Sequence, residues 1–148
     1  MPGALKLAAG THTQVQATGS SALSNAAAVA AATATVANQT NLDRRLSAVL
    51  VTGFGSAPAA GAEIQLYLVP KLDGTNFADA DVSTPYLNPN TYAGSFWVTL
   101  AQTAAQRLSI EGIAVGPYEY KAYLVNKSGQ QMSVNWTLDV YGDQDQYT

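Results

Sequence analysis

In Glu63-Ile64-Gln65-Leu66-Tyr67-Leu68 the aliphatic residues Ile64, Leu66 and Leu68 fall on every second position, so all three share one face of an extended chain. The same beat returns in Phe96-Trp97-Val98-Thr99-Leu100 and in Trp136-Thr137-Leu138-Asp139-Val140. A side-chain period of two belongs to a strand with one buried face. Several such strands in succession must bury those faces against each other.

Further strands lie to either side of this stretch. Residues 46–54 are apolar on both faces, with Leu46, Ala48 and Leu50 opposed to Val49 and Val51, which predicts a central strand. Gly53, Gly55, Pro58 and Gly61 then mark a loop, and Pro70 ends the strand at 63–69 because proline has no N–H for a ladder. Residues 71–91 form a connection of roughly twenty residues, a length that often marks function. Strands at 95–100, 107–110, 118–125 and 135–141 follow, the last two joined by a turn at 126–130. Towards the N-terminus, residues 30–37 alternate Ala with Thr and Val and read as a strand. Residues 24–29 are open between helix and strand, although little or no helix is expected even there, and residues 11–17 suit an extended arm or a first edge strand. The chain is therefore expected to be all-β: a two-sheet antiparallel sandwich of jelly-roll or Greek-key type over residues 29–148, with an extended N-terminal arm over 1–28. Leu66, Leu68, Phe96, Leu108, Leu124 and Leu138 are the expected core, and the small polar arm is expected to be mobile in the isolated protein, or held by a neighbouring copy or a larger assembly, rather than by that core.

A chain of 148 residues suits one domain that buries about 70% of the surface its unfolded form exposes. Charged residues make up 11%, against about 25% in an ordinary soluble domain. A wide neutral surface suits a protein covered by a partner, and equally one solvated by Ser, Thr, Asn and Gln. The net charge is −3, and Lys6, Arg44, Arg45, Lys71, Arg107, Lys121 and Lys127 are scattered. No basic stripe is available to displace counterions, which argues against nucleic-acid binding. There is no cysteine, hence no disulfide framework. Met1-Pro2-Gly3-Ala4-Leu5-Lys6-Leu7 has no basic region followed by an apolar run, and the Ala-rich 26–37 stretch is too weakly hydrophobic to span a bilayer. A soluble product made in a cytoplasm, with no membrane partner, is expected.

The residues of chemically capable type read better as structure. His12 lies in the polar arm without a nucleophile or orienting carboxylate nearby in sequence, and is expected to be solvated. Asp73, Asn76, Asp79 and Asp81 are oxygen ligands at a spacing calcium can use, but the bidentate Glu of an EF-hand is missing, and Asp and Asn favour turns. Glu63, Glu111 and Glu119 sit on or beside strands, where an acid is ordinary solvation rather than half of a hydrolytic pair. Asn38-Gln39-Thr40, Asn126-Lys127-Ser128 and Asn135-Trp136-Thr137 match the glycosylation pattern, which means little without secretion. No enzymatic activity, cofactor or metal is expected. Tyr86, Tyr92, Trp97, Tyr118, Tyr120 and Tyr123 make a possible stacking platform for sugars. Tyr118 and Tyr120 share a face with Ala122 and Leu124 and read as core. Trp97, Tyr123, Tyr86 and Tyr92 are the candidate interface residues.

The run Ile64-Gln65-Leu66-Tyr67-Leu68-Val69-Pro70-Lys71-Leu72-Asp73-Gly74-Thr75-Asn76-Phe77-Ala78-Asp79 resembles a segment of small structural proteins of tailed bacteriophages. Gly94-Ser95-Phe96-Trp97-Val98, Gln106-Arg107-Leu108, Gly112-Ile113 and Lys121-Ala122-Tyr123-Leu124-Val125-Asn126-Lys127-Ser128-Gly129-Gln130 follow in suitable order, so that the resemblance spans residues 62–141. It implies a capsid cement (decoration) protein: a jelly-roll-like sandwich, homo-oligomeric, on the exterior of an icosahedral head, where it binds the major capsid protein across subunit seams. The Ala-rich N-terminal third carries no matching motif. The competing expectation is a sugar-binding sandwich of a tail fibre or baseplate, which would be present in far fewer copies per virion.

Overall fold

A computed structural model of the chain describes residues 5–83 and 87–147, with side chains described for 10–83 and 87–143. Its strands are β1 (Leu5–Gln16), β2 (Ala28–Ala30), β3 (Val36–Ala37), β4 (Arg45–Thr52), β5 (Glu63–Pro70), β6 (Tyr92–Trp97), β7 (Gln106–Ala114), β8 (Glu119–Lys127) and β9 (Thr137–Tyr147). Among the described residues the only helical pieces are α1 (Asn38–Asn41) and a 3-10 turn at Pro89–Thr91, as the strand-rich reading expects, and neither is long enough to cross a membrane.

One sheet has the order β1-β9-β4-β7 and the other β2-β8-β5-β6, with β3 also on β8, and every pairing is antiparallel. β2 and β3 run along the same edge of β8, Ala28 opposite Val125 and Ala37 opposite Glu119, so they act as one interrupted strand. Counted that way the pairings nest, first strand with last and then inward to β5 with β6. That nesting is the jelly roll.

The single strand expected at 30–37 is thus split, and the reason is a stitch between the two sheets. Residues 32–34 leave β8 for the end of β1: Ala32 N–H donates to Gln16 Oε1 (2.8 Å), and Thr33 N–H to the Val15 carbonyl (3.0 Å). Thr33 Oγ1 in turn accepts from Ala17 N–H (2.8 Å). Ala and Thr are small enough to make this crossing without displacing the core.

The arm also needs correction. Of the two readings of residues 11–17 the edge strand is the one found: β1 pairs along β9, and Val15 is fully buried in the core. Residues 20–23 close over Trp136, whose indole N–H donates to the Ser21 carbonyl (3.0 Å), while Leu23 bridges Met132. Too little apolar area led to the expectation of an independent arm, but a backbone ladder and a few anchors hold this segment to its own sandwich. The carboxylate of Asp43, 3% exposed, packs where β1 bulges between Ala9 and His12 and leaves no room for a Cβ at Gly10 or Gly142. Its Oδ2 accepts from Thr11 Oγ1 (3.0 Å).

Leu66, Leu68, Phe96, Leu108, Leu124 and Leu138 are all buried in one core between the sheets. β4 is central, between β9 and β7, with Leu46, Ala48 and Leu50 facing inward.

Candidate functional site

The outward residues of β5 and β8 pair across the second sheet: Glu63 with Lys127, Gln65 with Val125, Tyr67 with Tyr123, and Val69 with Lys121. Half of this face is roofed by the chain's own long connection. Phe77, Ala80 and Leu87 pack on Val69, Tyr123 and Val125 to make a second, smaller core. The roof is pinned by Lys71, whose Nζ meets Glu119 Oε2 at 2.7 Å and lies 4.7 Å from the centre of the Phe77 ring. Lys71, and then Thr35, hold the Glu119 carboxyl below the ordinary glutamate value of 4.5 by hydrogen bonding to its charged form.

Tyr123 was a candidate interface residue; it is 7% exposed and belongs to this small core, so it is not available to a partner. Its outward position on β8 was readable, but the loop that covers it comes from about forty residues away in sequence and leaves no periodic trace. The oxygen cluster in that loop is engaged in turns. Asp73 Oδ1 accepts from the N–H of Asn76 (2.7 Å) and of Thr75 (2.8 Å), and these two bonds lower the Asp73 pKa. Among the described residues no three His, Asp or Glu side chains stand together as a metal site would need. Tyr86 lies outside the described residues.

The other half of the face is open, and there Trp97 and Tyr92 are exposed by 56% and 46%. Their common direction depends on a β-bulge. Leu66 pairs with Gly94 but Tyr67 pairs with Tyr92, so Ala93 is an extra residue that turns Tyr92 to the side of Ser95 and Trp97. Gly94 sits at φ 146 there, where a Cβ would meet Ile110 Cγ2 of β7 at 3.0 Å. Tyr92 Oη and Ser95 Oγ share a hydrogen bond (2.7 Å), and Ser95 donates onward to Glu63 Oε2 (2.5 Å). Gln65 Nε2 donates to Glu63 Oε1 (3.3 Å), Tyr67 Oη donates to Gln65 Oε1 (3.0 Å), and the Tyr67 and Tyr92 rings meet edge to face at 5.6 Å. Burial, then the neighbouring Tyr92 and Glu63, raise the Tyr67 pKa. Both oxygens of Glu63 thus hold neighbouring side chains in place. The result is an aromatic strip in which Tyr67 and Tyr92 are held in place and Trp97 stands exposed beside them.

The remaining aromatic pair is divided. Tyr120 is buried, with Oη accepting from Gly116 N–H (2.8 Å), as the core reading expects. Tyr118 is 37% exposed, against that reading, because it precedes the first residue of β8 and the alternation has not yet begun. Tyr118, Tyr120 and Tyr92 line a cleft of about 440 Å³ together with Asn88, Asn90 and Thr91. Sequence reading missed this cleft, since its walls come from three separate segments. Glu63 and Glu119 stand at opposite ends of the β5–β8 ladder. His12 stacks on Tyr141 (4.6 Å between ring centres) and meets Asp139 Oδ1 at 2.7 Å on the outer face of the first sheet, so it is anchored rather than merely solvated.

No protein-family model matches the chain, and no curated protein matches its sequence at a significant level. The fold is an all-β jelly-roll that exposes an aromatic strip on one sheet.

Proposed function

We propose that the chain is a structural virion protein on the exterior of a tailed-bacteriophage capsid, where it stabilises the shell by clamping neighbouring major capsid subunits. The observation that carries this reading is the end of the first sheet. β4 begins at Arg45, opposite Asp143, yet β1 and β9 run on together, with Ala8 opposite Gln144 through to Leu5 opposite Tyr147. Four further pairs at about 3.4 Å each make a two-stranded ribbon that reaches roughly 13 Å past the third strand. Such a ribbon is marginal in water by itself, and its outer N–H and C=O groups, which pair with no third strand among the described residues, are a template for pairing. A partner subunit under the ribbon would satisfy them.

Trp97 and Tyr92 offer a second contact on the other sheet, and these residue types dominate the energetics of interfaces because they bury much area at little entropic cost. A protein that binds the assembled shell and not its dispersed subunits stabilises the shell by mass action, and linked copies multiply weak contacts. The reading also suits the phage-like motif order over residues 62–141.

The test is to mix purified protein with heads that lack it and to sediment them. Saturable decoration at a fixed ratio to the major capsid protein, with a raised disruption temperature of the heads, is expected. Deleting residues 1–8 should remove attachment while leaving the melting of the isolated sandwich nearly unchanged. Intact protein that stays in the supernatant sinks the capsid reading. Equal decoration by the deleted form removes the ribbon from it.

A further inference from the structure

We propose that the cleft beside Tyr118 is a binding site for a neutral oligosaccharide, independent of any contact made by the ribbon or by Trp97. The lining decides the ligand class. Among the described residues no charged side chain lines the 440 Å³ cleft, so neither an anion nor a cation finds a counter-charge there. Asn88, Asn90 and Thr91 line it together with Tyr92, Tyr118, Tyr120 and the aliphatic Leu68. A purely apolar ligand would strip water from the amides and hydroxyl without replacing it, which is costly. A pyranose has a C–H face for the rings and a hydroxyl rim for the amides, so it can meet both kinds of group in one cleft. Pockets of this size that combine an apolar wall with a few convergent polar groups are the usual form of small-molecule sites.

The rings are held in place before any ligand arrives. Tyr118 lies over Gly116, where a Cβ would come within 2.9 Å of its Cε2 atom, and it meets Tyr120 edge to face with ring centres 6.4 Å apart. Tyr120 is itself tied to Gly116 by its hydroxyl. A fixed ring loses little freedom when a sugar stacks on it.

The cleft continues past Tyr118. A second depression of about 290 Å³ shares Tyr118 and Leu72 with the first and adds Gln39, Lys71 and Glu119. Its two charges neutralise each other in the 2.7 Å Lys71–Glu119 pair. Tyr118 is therefore a saddle between two neutral basins, which fits a chain of at least two sugar units passing over the ring.

The experiment titrates the full chain with neutral tetrasaccharides built on glucose, galactose, mannose and N-acetylglucosamine, and with a heparin-derived and a sialic-acid tetramer. Backbone amide shifts are the readout. At least one neutral tetramer should shift residues 88–93 and 115–120. Tyr118→Ala should weaken it roughly tenfold, as expected for a stacked ring, with an unchanged melting temperature. Tyr118→Phe should retain binding, and Trp97→Ala should leave it untouched. Failure of every neutral tetramer, preference for the charged ones, or shifts centred on Trp97 would each overturn the proposal. None of these outcomes bears on whether the protein decorates heads.

Discussion

The two sheets share one core but treat their outer faces in opposite ways. On the first sheet the outer face is bare: His12, Asp139 and Tyr141 lie on it as a stacked and hydrogen-bonded group, and Val49 and Val51 are only half covered. On the second sheet Phe77, Ala80 and Leu87 of the long connection fold back over Val69, Tyr123 and Val125 and bury them. The roofed face carries larger apolar residues on β8, which is buried on both sides through most of its length. An apolar outer face on a central strand thus has two meanings, a partner or a loop, and only the path of the chain decides between them.

The shared core sets the largest expected effect. Leu66→Ala, at a fully buried position facing the other sheet, should cost about 2–5 kcal/mol in denaturant unfolding. A loss below about half a kcal/mol would mean that the sheets do not depend on one core. Next comes the roof. Phe77→Ala should cost about 1–2 kcal/mol, since the ring is only partly buried, and should speed amide exchange at 71–83 while sparing β4. Uniform acceleration across both sheets would show the roof to be part of the global fold instead of a separate cover. On the bare face Tyr141→Ala removes a stacked ring and should cost about 0.5–1.5 kcal/mol, with no change of exchange in the roof.

The smallest effect is electrostatic. Glu119 has a folded pKa below its unfolded value of 4.5, so its contribution is complete above 4.5 and is lost as pH falls through the folded value. Glu119→Gln should therefore lower stability at neutral pH and flatten the decline on acidification below 4.5, measured by urea unfolding across pH. A variant whose acid decline is as steep as the parent's would remove the Lys71–Glu119 pin from the account of the roof.

The aromatic residues trace how far the sequence could be read. Phe96 inward and Trp97 outward follow from alternation alone, and both are found so. Tyr92 could not be placed on the face of Trp97 by counting, because the extra Ala93 reverses the parity. Tyr118 misled because a face was assigned to it one residue before its strand begins. Tyr123 misled because its cover arrives from a distant loop.

What the sequence by itself determined is the set of strands and their inward faces: the two-residue period at 63–69 and 135–141, the two-faced β4, and a six-residue core list all arise from local geometry that every strand obeys. What only the tertiary structure decided is which strands are neighbours, that residues 5–16 are an edge strand and not a free arm, and which outer face is covered. The physical reason is that these depend on backbone pairing between β1 and β9, more than a hundred residues apart, and on loop closure over β8. Neither imposes a repeat on the side chains, because backbone N–H and C=O groups pair alike whatever residue carries them.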